Sequence, residues 1–179
     1  MSALLRLSGG IDRLNAALGR LAAVFVLLAA LISAGNALLR YALSQSSNAR
    51  LEIQWYLFAA IVMLGAAETL RRNEHVRVDL IYANLSDRAR LWVDVGGIIL
   101  FLLPFCGLMA WLCGPVAWRA FDNGEMSASA GGLVRWPVRA VIAAGFALLF
   151  LQGLSELVKR VAALRGHAVL DTAYEKPQQ

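Results

Sequence analysis

The sequence predicts an all-α integral membrane protein with four transmembrane helices and an N-terminal interfacial amphipathic helix. The chain of 179 residues is 59% hydrophobic and 16% charged. In soluble domains, about a quarter of all residues are charged. Its apolar residues are clustered into four runs, each close to the roughly 20 residues that span a bilayer. Its cations lie between these runs, where they set topology, so the net charge of +5 does not indicate nucleic-acid binding.

Residues 1–20 predict an amphipathic helix in the membrane interface. Apolar residues recur at spacings of three and four from Leu4 to Leu21. A seven-residue spacing, which keeps side chains on one face, relates Arg6, Arg13 and Arg20. Such a face is expected to meet lipid phosphates. The pair Gly9-Gly10 is expected to weaken this helix.

Four crossings are expected at about residues 21–40, 52–70, 92–118 and 137–158, within a transmembrane domain of residues 21–165. The first is too long for the apolar region of a signal peptide, which runs about 7–15 residues. Ser86 and Asp87 predict a helix start before the third crossing, and Pro104 is expected to kink that crossing. Pro137 suits the first turn of the fourth. Residues 166–179 predict a polar cytoplasmic tail.

Glu52 and Glu68 mark the two ends of the second crossing. Because sixteen positions at about 100° each separate them, they lie on nearly opposite faces and near the two headgroup zones. They are therefore not a paired-carboxylate proton site, and each is expected to be held by a cation or by a partner chain. For Glu52, the alternatives are an interfacial ion pair with Arg50 or Arg40, or a brace with Arg40 that holds the first two helices together.

The crossings contain no catalytic constellation, so the chain is not predicted to be an enzyme. His75 and His167 are the only histidines, and both lie in flanking segments, which leaves no haem ligand inside the bundle. No metal or phosphate motif and no charge at mid-membrane occur, so no cofactor is expected. The embedded amides of Asn36 and Gln152 are read as helix–helix contacts. These absences favour an accessory subunit over an autonomous exporter or the membrane anchor of a redox complex.

The distribution of cations predicts the orientation. With four crossings, both termini share one side, and that side carries twelve lysines and arginines against five on the other. Because cations accumulate on the cytoplasmic side, both termini are expected in the cytoplasm.

Five stretches resemble the small membrane subunit, DctQ type, of tripartite ATP-independent periplasmic (TRAP) transporters. They are Asn36-x-x-x-Arg40-Tyr41, Glu52-x-x-Trp55-Tyr56-Leu57-Phe58, the charged run from Arg71 to Asp79, Gly124-Glu125-Met126-Ser127 and Arg135-Trp136-Pro137-Val138. The resemblance covers about residues 20–165. It implies a bacterial inner-membrane protein that binds no substrate itself.

In this family, the small subunit pairs with a large multi-helix permease subunit, and a periplasmic substrate-binding protein delivers an organic acid for sodium-driven uptake. For such a subunit we expect three groups of contact residues. Candidates for bracing helices or subunits are Asn36, Arg40, Glu52, Trp55 and Glu68. Candidates for a periplasmic docking loop are Gly124, Glu125, Met126, Arg135 and Trp136. Candidates for a cytoplasmic interface are Arg71, Arg72, His75, Arg77 and Asp79.

Overall fold

The computed structural model describes residues 2–44, 47–74 and 85–166, and these residues are helical apart from their connections. The helices are α1 (Ser2–Leu43), α2 (Asn48–Arg72), α3 (Asp87–Gly97), α4 (Leu103–Asp122) and α5 (Trp136–Leu164). A π-helical segment, Ile98–Leu102, joins α3 to α4, so the two form one span. The described residues thus contain four helical spans long and apolar enough to cross a membrane, as predicted.

Capping residues fix several helix ends. Ser86 accepts a hydrogen bond from the backbone N–H of Ala89 at 3.4 Å, which confirms the predicted start of α3. Asn73 ends α2 in the left-handed conformation, with φ of 61°. Pro137 lies in the first turn of α5, where its missing N–H removes no helical hydrogen bond.

The first helix is continuous through Gly9-Gly10, so residues 2–20 begin α1 instead of forming a separate element. Its 42 residues give a length of about 63 Å, roughly twice the 30 Å of the hydrocarbon layer. The interfacial, amphipathic character of residues 1–20 is not confirmed and stays a prediction. The predicted tail lies outside the described residues from 167 onward.

The third span is irregular next to Pro104, the proline at which a kink is predicted. Residues Ile98–Leu102 form a π turn, and the N–H of Leu103 bonds to the carbonyl of Ile98. Proline cannot donate a helical hydrogen bond, and its ring clashes with the carbonyl four residues earlier. A wider turn directly before the proline relieves that clash, so the irregularity has a local sequence cause.

Helix α5 is the centre of the fold, because it packs against α1, α2, α3 and α4. Glycine permits the closest approaches: a Cβ at Gly145 would lie 2.5 Å from Cβ of Met63 on α2, and one at Gly153 would lie 2.8 Å from Cδ2 of Leu102. We call the end formed by the start of α2 and of α5 the hairpin end. We call the opposite end, with the start of α1 and the end of α5, the network end.

The distribution of polar and apolar side chains between interior and surface is the reverse of that in a soluble protein. Three of the four largest fully buried side chains are polar, namely Gln152, Asn15 and Ser155. Large apolar side chains point outward instead, as in Trp111, which is 77% exposed, and Phe101, which is 74% exposed. This distribution suits a protein whose outer surface meets lipid or the apolar surface of another membrane chain.

Candidate functional site

The connection between α4 and α5 is an ordered hairpin of residues 124–135. Met126 and Val134 form an antiparallel bridge. The N–H of Ser127 bonds to the carbonyl of Leu133 at 2.9 Å, and the N–H of Arg135 bonds to that of Glu125 at 2.8 Å. Gly124 and Gly131 adopt positive φ, of 58° and 69°, which glycine allows without strain. The loop predicted as a docking surface therefore has a defined shape.

One face of α2 holds the hairpin through three side chains spaced four residues apart. Asn48 Nδ2 donates to the carbonyl of Ala130 at 3.0 Å, and Tyr56 Oη donates to that of Val134 at 3.0 Å. Between them, Glu52 accepts a hydrogen bond from the N–H of Leu133 at 2.7 Å and another from Ser127 Oγ. A spacing of four places such residues in line along a helix.

These contacts of Glu52 differ from both predicted alternatives. Among the described residues, no ion pair joins Glu52 to Arg40 or Arg50, and Arg40 is exposed. Glu52 therefore braces α2 to the hairpin instead of α2 to α1. Because the carboxylate accepts a backbone N–H and a hydroxyl, it does not need a cation to be satisfied.

The hairpin approaches Glu52 closely at Gly132. A Cβ at this position would lie 2.5 Å from Cβ of Ser127 and 2.9 Å from Oε1 of Glu52. Both neighbours belong to the contact that holds the hairpin, so neither can move without weakening it. Glycine is required here by space, since its φ is not in the left-handed region.

Gly132→Ala is therefore expected to release the hairpin from α2. We expect the Leu133 amide to exchange its hydrogen about tenfold faster or more, because its hydrogen bond to Glu52 is lost. Hydrogen-exchange mass spectrometry of the purified protein measures this. Gly114→Ala is the matched control, since a Cβ at Gly114 meets no atom within 4 Å. Unchanged exchange in the Gly132 variant would mean that the close packing at Gly132 is not needed to hold the hairpin.

Charged and apolar side chains lie on the outer surface of the hairpin. Glu125 pairs with Arg139 at 2.6 Å and lies 4.0 Å from Arg135. Arg135 keeps much of its side chain exposed, and Met126 is 57% exposed. Of the predicted docking residues, the structure thus exposes Gly124, Met126, Arg135 and Trp136, while Glu125 is paired within the fold.

An aromatic chain lies at the base of the hairpin. The rings of Phe121 and Trp136 meet edge to face with centroids 5.4 Å apart, and Trp118 lies 6.0 Å from Phe121. Aromatic side chains of this kind concentrate at membrane–water interfaces. Trp136, a predicted docking residue, thus packs on Phe121 where α5 begins.

A polar network occupies the network end, where α1 packs on α5. Asn15 Nδ2 donates to Gln152 Oε1 at 2.7 Å, and Gln152 Nε2 donates to Asp12 Oδ1 at 2.8 Å. Lys159 Nζ lies 3.1 Å from Asp12 Oδ2. Ser8 and Ser155 bond to each other through their hydroxyls at 2.6 Å. This confirms the reading of Gln152 as a helix–helix contact.

The network continues through α5 to the other helices. Glu156 pairs with both Lys159 and Arg160, and Arg160 Nε donates to Asp94 Oδ2 of α3 at 3.0 Å. On α2, Glu68 is held by Arg71 and Arg72, each at 2.6 Å, as predicted for this end of the crossing. The polar network thus balances four carboxylates against four cations: Asp12, Glu68, Asp94 and Glu156 against Arg71, Arg72, Lys159 and Arg160.

The chemistry that this arrangement allows is structural. Charged residues stand at the two ends of the spans, and the middle of each span is uncharged. Within the described residues, no group of three or more His, Cys, Asp or Glu side chains could hold a metal ion. The carboxylates of the polar network already face lysine or arginine, so they offer no open coordination site.

The remaining predicted residues are scattered. On α1 and α2, Asn36 is half-buried with its Oδ1 unpaired, and Trp55 is 69% exposed. Glu68 packs against Gly19 of α1, where a Cβ would lie 2.6 Å from Glu68 Cγ. The structure thus brings Glu68 together with Arg71 and Arg72 but not with the other bracing candidates. Of the predicted cytoplasmic interface, three residues lie outside the described residues: His75, Arg77 and Asp79.

Sequence reasoning missed Asp12 and the link from Glu156 through Arg160 to Asp94. One signal was available, because Asp12 is the only acidic residue before Glu52. An isolated acid on a basic, apolar helix indicates a specific partner more strongly than a solvated face does. Nothing in the sequence indicates which cation that partner is.

Comparison with known proteins agrees with this architecture. A family model described as "Tripartite ATP-independent periplasmic transporters, DctQ component" matches residues 29–163, well over half of the chain. No curated protein and no solved structure is similar enough to the chain to match it.

Proposed function

The chain belongs to the DctQ family of small permease subunits of TRAP transporters, and from this premise we propose that it is the scaffold subunit of a sodium-coupled uptake system for organic acids. Members of this family work with a large permease subunit and a periplasmic binding protein. In the proposed system the large subunit carries the substrate and sodium sites. This chain holds that subunit in the membrane and binds no substrate itself.

The observation that carries the scaffold role is the uncharged middle of every span. Transport of an ion or of an organic anion through a bundle requires polar or charged groups at membrane depth. Here, the longest uncharged stretches include Leu21–Leu39 and Val95–Trp118. A chain whose spans carry no charge at mid-depth supplies shape and anchoring instead of a path.

The polar contacts that link the helices at both ends of the bundle also support the scaffold role. At the hairpin end, Glu52 of α2 accepts hydrogen bonds from the connection between α4 and α5. At the network end, Arg160 links α5 to α3, and Lys159 links it to α1. A bundle whose helices are linked at both ends resists relative movement of those helices. A large subunit that moves during transport needs a rigid neighbour of this kind.

The distribution of cations supports an inner-membrane orientation with both termini cytoplasmic, twelve basic residues against five. The hairpin end then faces the periplasm, where a binding protein could dock on Met126 and Arg135. The network end, with Arg71 and Arg72, faces the cytoplasm. Organic acids as substrates and sodium as the coupling ion rest on the family resemblance alone.

Reconstitution tests the proposal directly. In proteoliposomes we expect uptake of an organic acid only when this chain, the large permease subunit, the loaded binding protein and an inward sodium gradient are all present. Liposomes with this chain alone are expected to show no uptake above empty liposomes, because the spans offer no central site. Radiolabelled substrate measures both. Sodium-independent flux through this chain alone would contradict the scaffold role and support an autonomous exporter. Haem absorbance in the purified complex would support a redox anchor.

A further inference from the structure

We propose that the outer side of the first half of α1 binds the headgroups of anionic phospholipids through Arg6, Arg13 and Arg20, which lie about 10 Å apart along the helix. This lipid site is independent of which substrate the transporter carries. It accounts for a sequence motif that the scaffold role leaves unused.

The contacts of α1 fix which of its faces points outward. Ser8, Asp12 and Asn15 contact α5, and Gly19 packs on Glu68 of α2. These positions form one stripe along the helix. The opposite surface of the segment is therefore directed away from the other described helices.

That surface carries the three arginines, all of them exposed. Counting about 100° per residue, they fall within about 40° of one another and about 130° from the stripe that contacts the protein. In the described part of the chain, none of the three has an ion-pair partner. The one acid of the segment, Asp12, is turned inward to Lys159. The outer side therefore carries three positive charges and no negative one.

The described acidic residues do not neutralise this charge. The polar network balances its own carboxylates and cations, four against four. Its acids are held on the far side of α1 from the arginine row. Because this surface has no counter-charge among the described residues, its proposed partner is an external anion.

Exposed leucines next to the arginine row show what kind of anion fits. Leu7 is 66% exposed and Leu14 is 48% exposed. A wide, open groove of about 710 Å³ runs along this part of α1 and is lined by Ala3, Arg6, Leu7, Gly10, Ile11 and Leu14. A soluble anion would leave these leucines in water. A phospholipid places its acyl chains on the leucines and its phosphate on the arginines.

The position along the bundle is compatible with headgroups. Lys159, the partner of Asp12, lies 23 residues after Trp136 on α5, which is about 35 Å of helix. If Trp136 marks one interface, Asp12 and the neighbouring Arg13 lie just beyond the roughly 30 Å hydrocarbon layer. This is the depth of the phosphates in the opposite leaflet.

The test uses the full chain purified in dodecyl maltoside and stripped of lipid, with native mass spectrometry as readout. The probes are phosphatidylglycerol and phosphatidylcholine with identical acyl chains. Each basic residue near an anionic membrane surface contributes a factor of about five in affinity, so a headgroup held by one of the arginines is expected to bind about fivefold tighter than a neutral one. We expect the wild type to prefer phosphatidylglycerol, and the triple variant Arg6→Gln, Arg13→Gln, Arg20→Gln to lose that preference.

The matched control is the triple variant Arg40→Gln, Arg88→Gln, Arg119→Gln, which removes the same charge from exposed arginines elsewhere. It should keep the preference; an equal loss would show bulk electrostatics and overturn the site. Millimolar inorganic phosphate should not displace the lipid, and full displacement would indicate a site for a free anion. If the first triple variant binds phosphatidylglycerol normally but no longer co-purifies with the large subunit, the surface belongs to a protein partner and the proposal is wrong.

Discussion

Arg160→Leu is expected to lower the free energy of unfolding by about 3 kcal/mol, because it removes the guanidinium that lies between two carboxylates. Arg160 is 7% exposed and contacts Asp94 at 3.0 Å as well as Glu156. Removing one partner of a buried ion pair costs about 3–5 kcal/mol. Because Lys159 still pairs with Glu156 in the variant, the lower end of that range applies. Unfolding by dodecyl sulfate from a mild detergent, followed by helical circular dichroism, measures the change.

The control for this experiment is Arg88→Leu, which removes an exposed arginine near the start of α3. Surface substitutions of this kind change stability by about 0.5 kcal/mol or less. Arg160→Lys should fall between the two, since it keeps the charge but loses the fork that reaches both carboxylates. If Arg160→Leu and Arg88→Leu unfold alike, the polar network does not stabilise the bundle.

The four spans could be predicted from the sequence because lipid imposes a simple rule on composition. Uncharged runs of about 20 residues locate the hydrocarbon layer, and Ser86 and Pro137 locate helix starts by local chemistry. The first and last residues of each helix are harder to predict from the sequence. Hydropathy marked the first crossing at residues 21–40, whereas α1 extends over Ser2–Leu43. Its polar first half is helical, and there the segment packs on α5, a tertiary contact that composition does not encode.

The sequence also does not predict which residues the charged groups contact. Glu52 has two arginines close in sequence, yet it binds Ser127 and Leu133, 75 and 81 residues away. Arg160 likewise meets Asp94, 66 residues away. Such pairings depend on which faces of the helices meet, and one sequence gives periodicity without giving the rotation of each helix. Candidate residues could therefore be assigned to an end of the bundle but not to each other.

The hairpin offers a second test with a large expected effect, at the surface proposed to receive the binding protein. Arg135 stands on this surface with its side chain 45% exposed. Its neighbour Glu125 is held by Arg139 at 2.6 Å, a closer pair than the 4.0 Å to Arg135. The backbone of the hairpin is fixed by α2 through Glu52. The charge of Arg135 can therefore be changed while the fold of the hairpin is kept, whereas reversing Glu125 would disturb both.

Arg135→Glu is expected to raise the concentration of loaded binding protein needed for half-maximal uptake by about tenfold, with normal yield of the assembled complex. Reversing a charge at the rim of an interface chiefly slows productive encounter, and tenfold corresponds to about 1.4 kcal/mol. Uptake into proteoliposomes at limiting binding protein measures it. Arg119→Glu is the matched control, because it makes the same charge change at the same end but outside the hairpin. If both variants need the wild-type concentration of binding protein, the hairpin only connects α4 to α5.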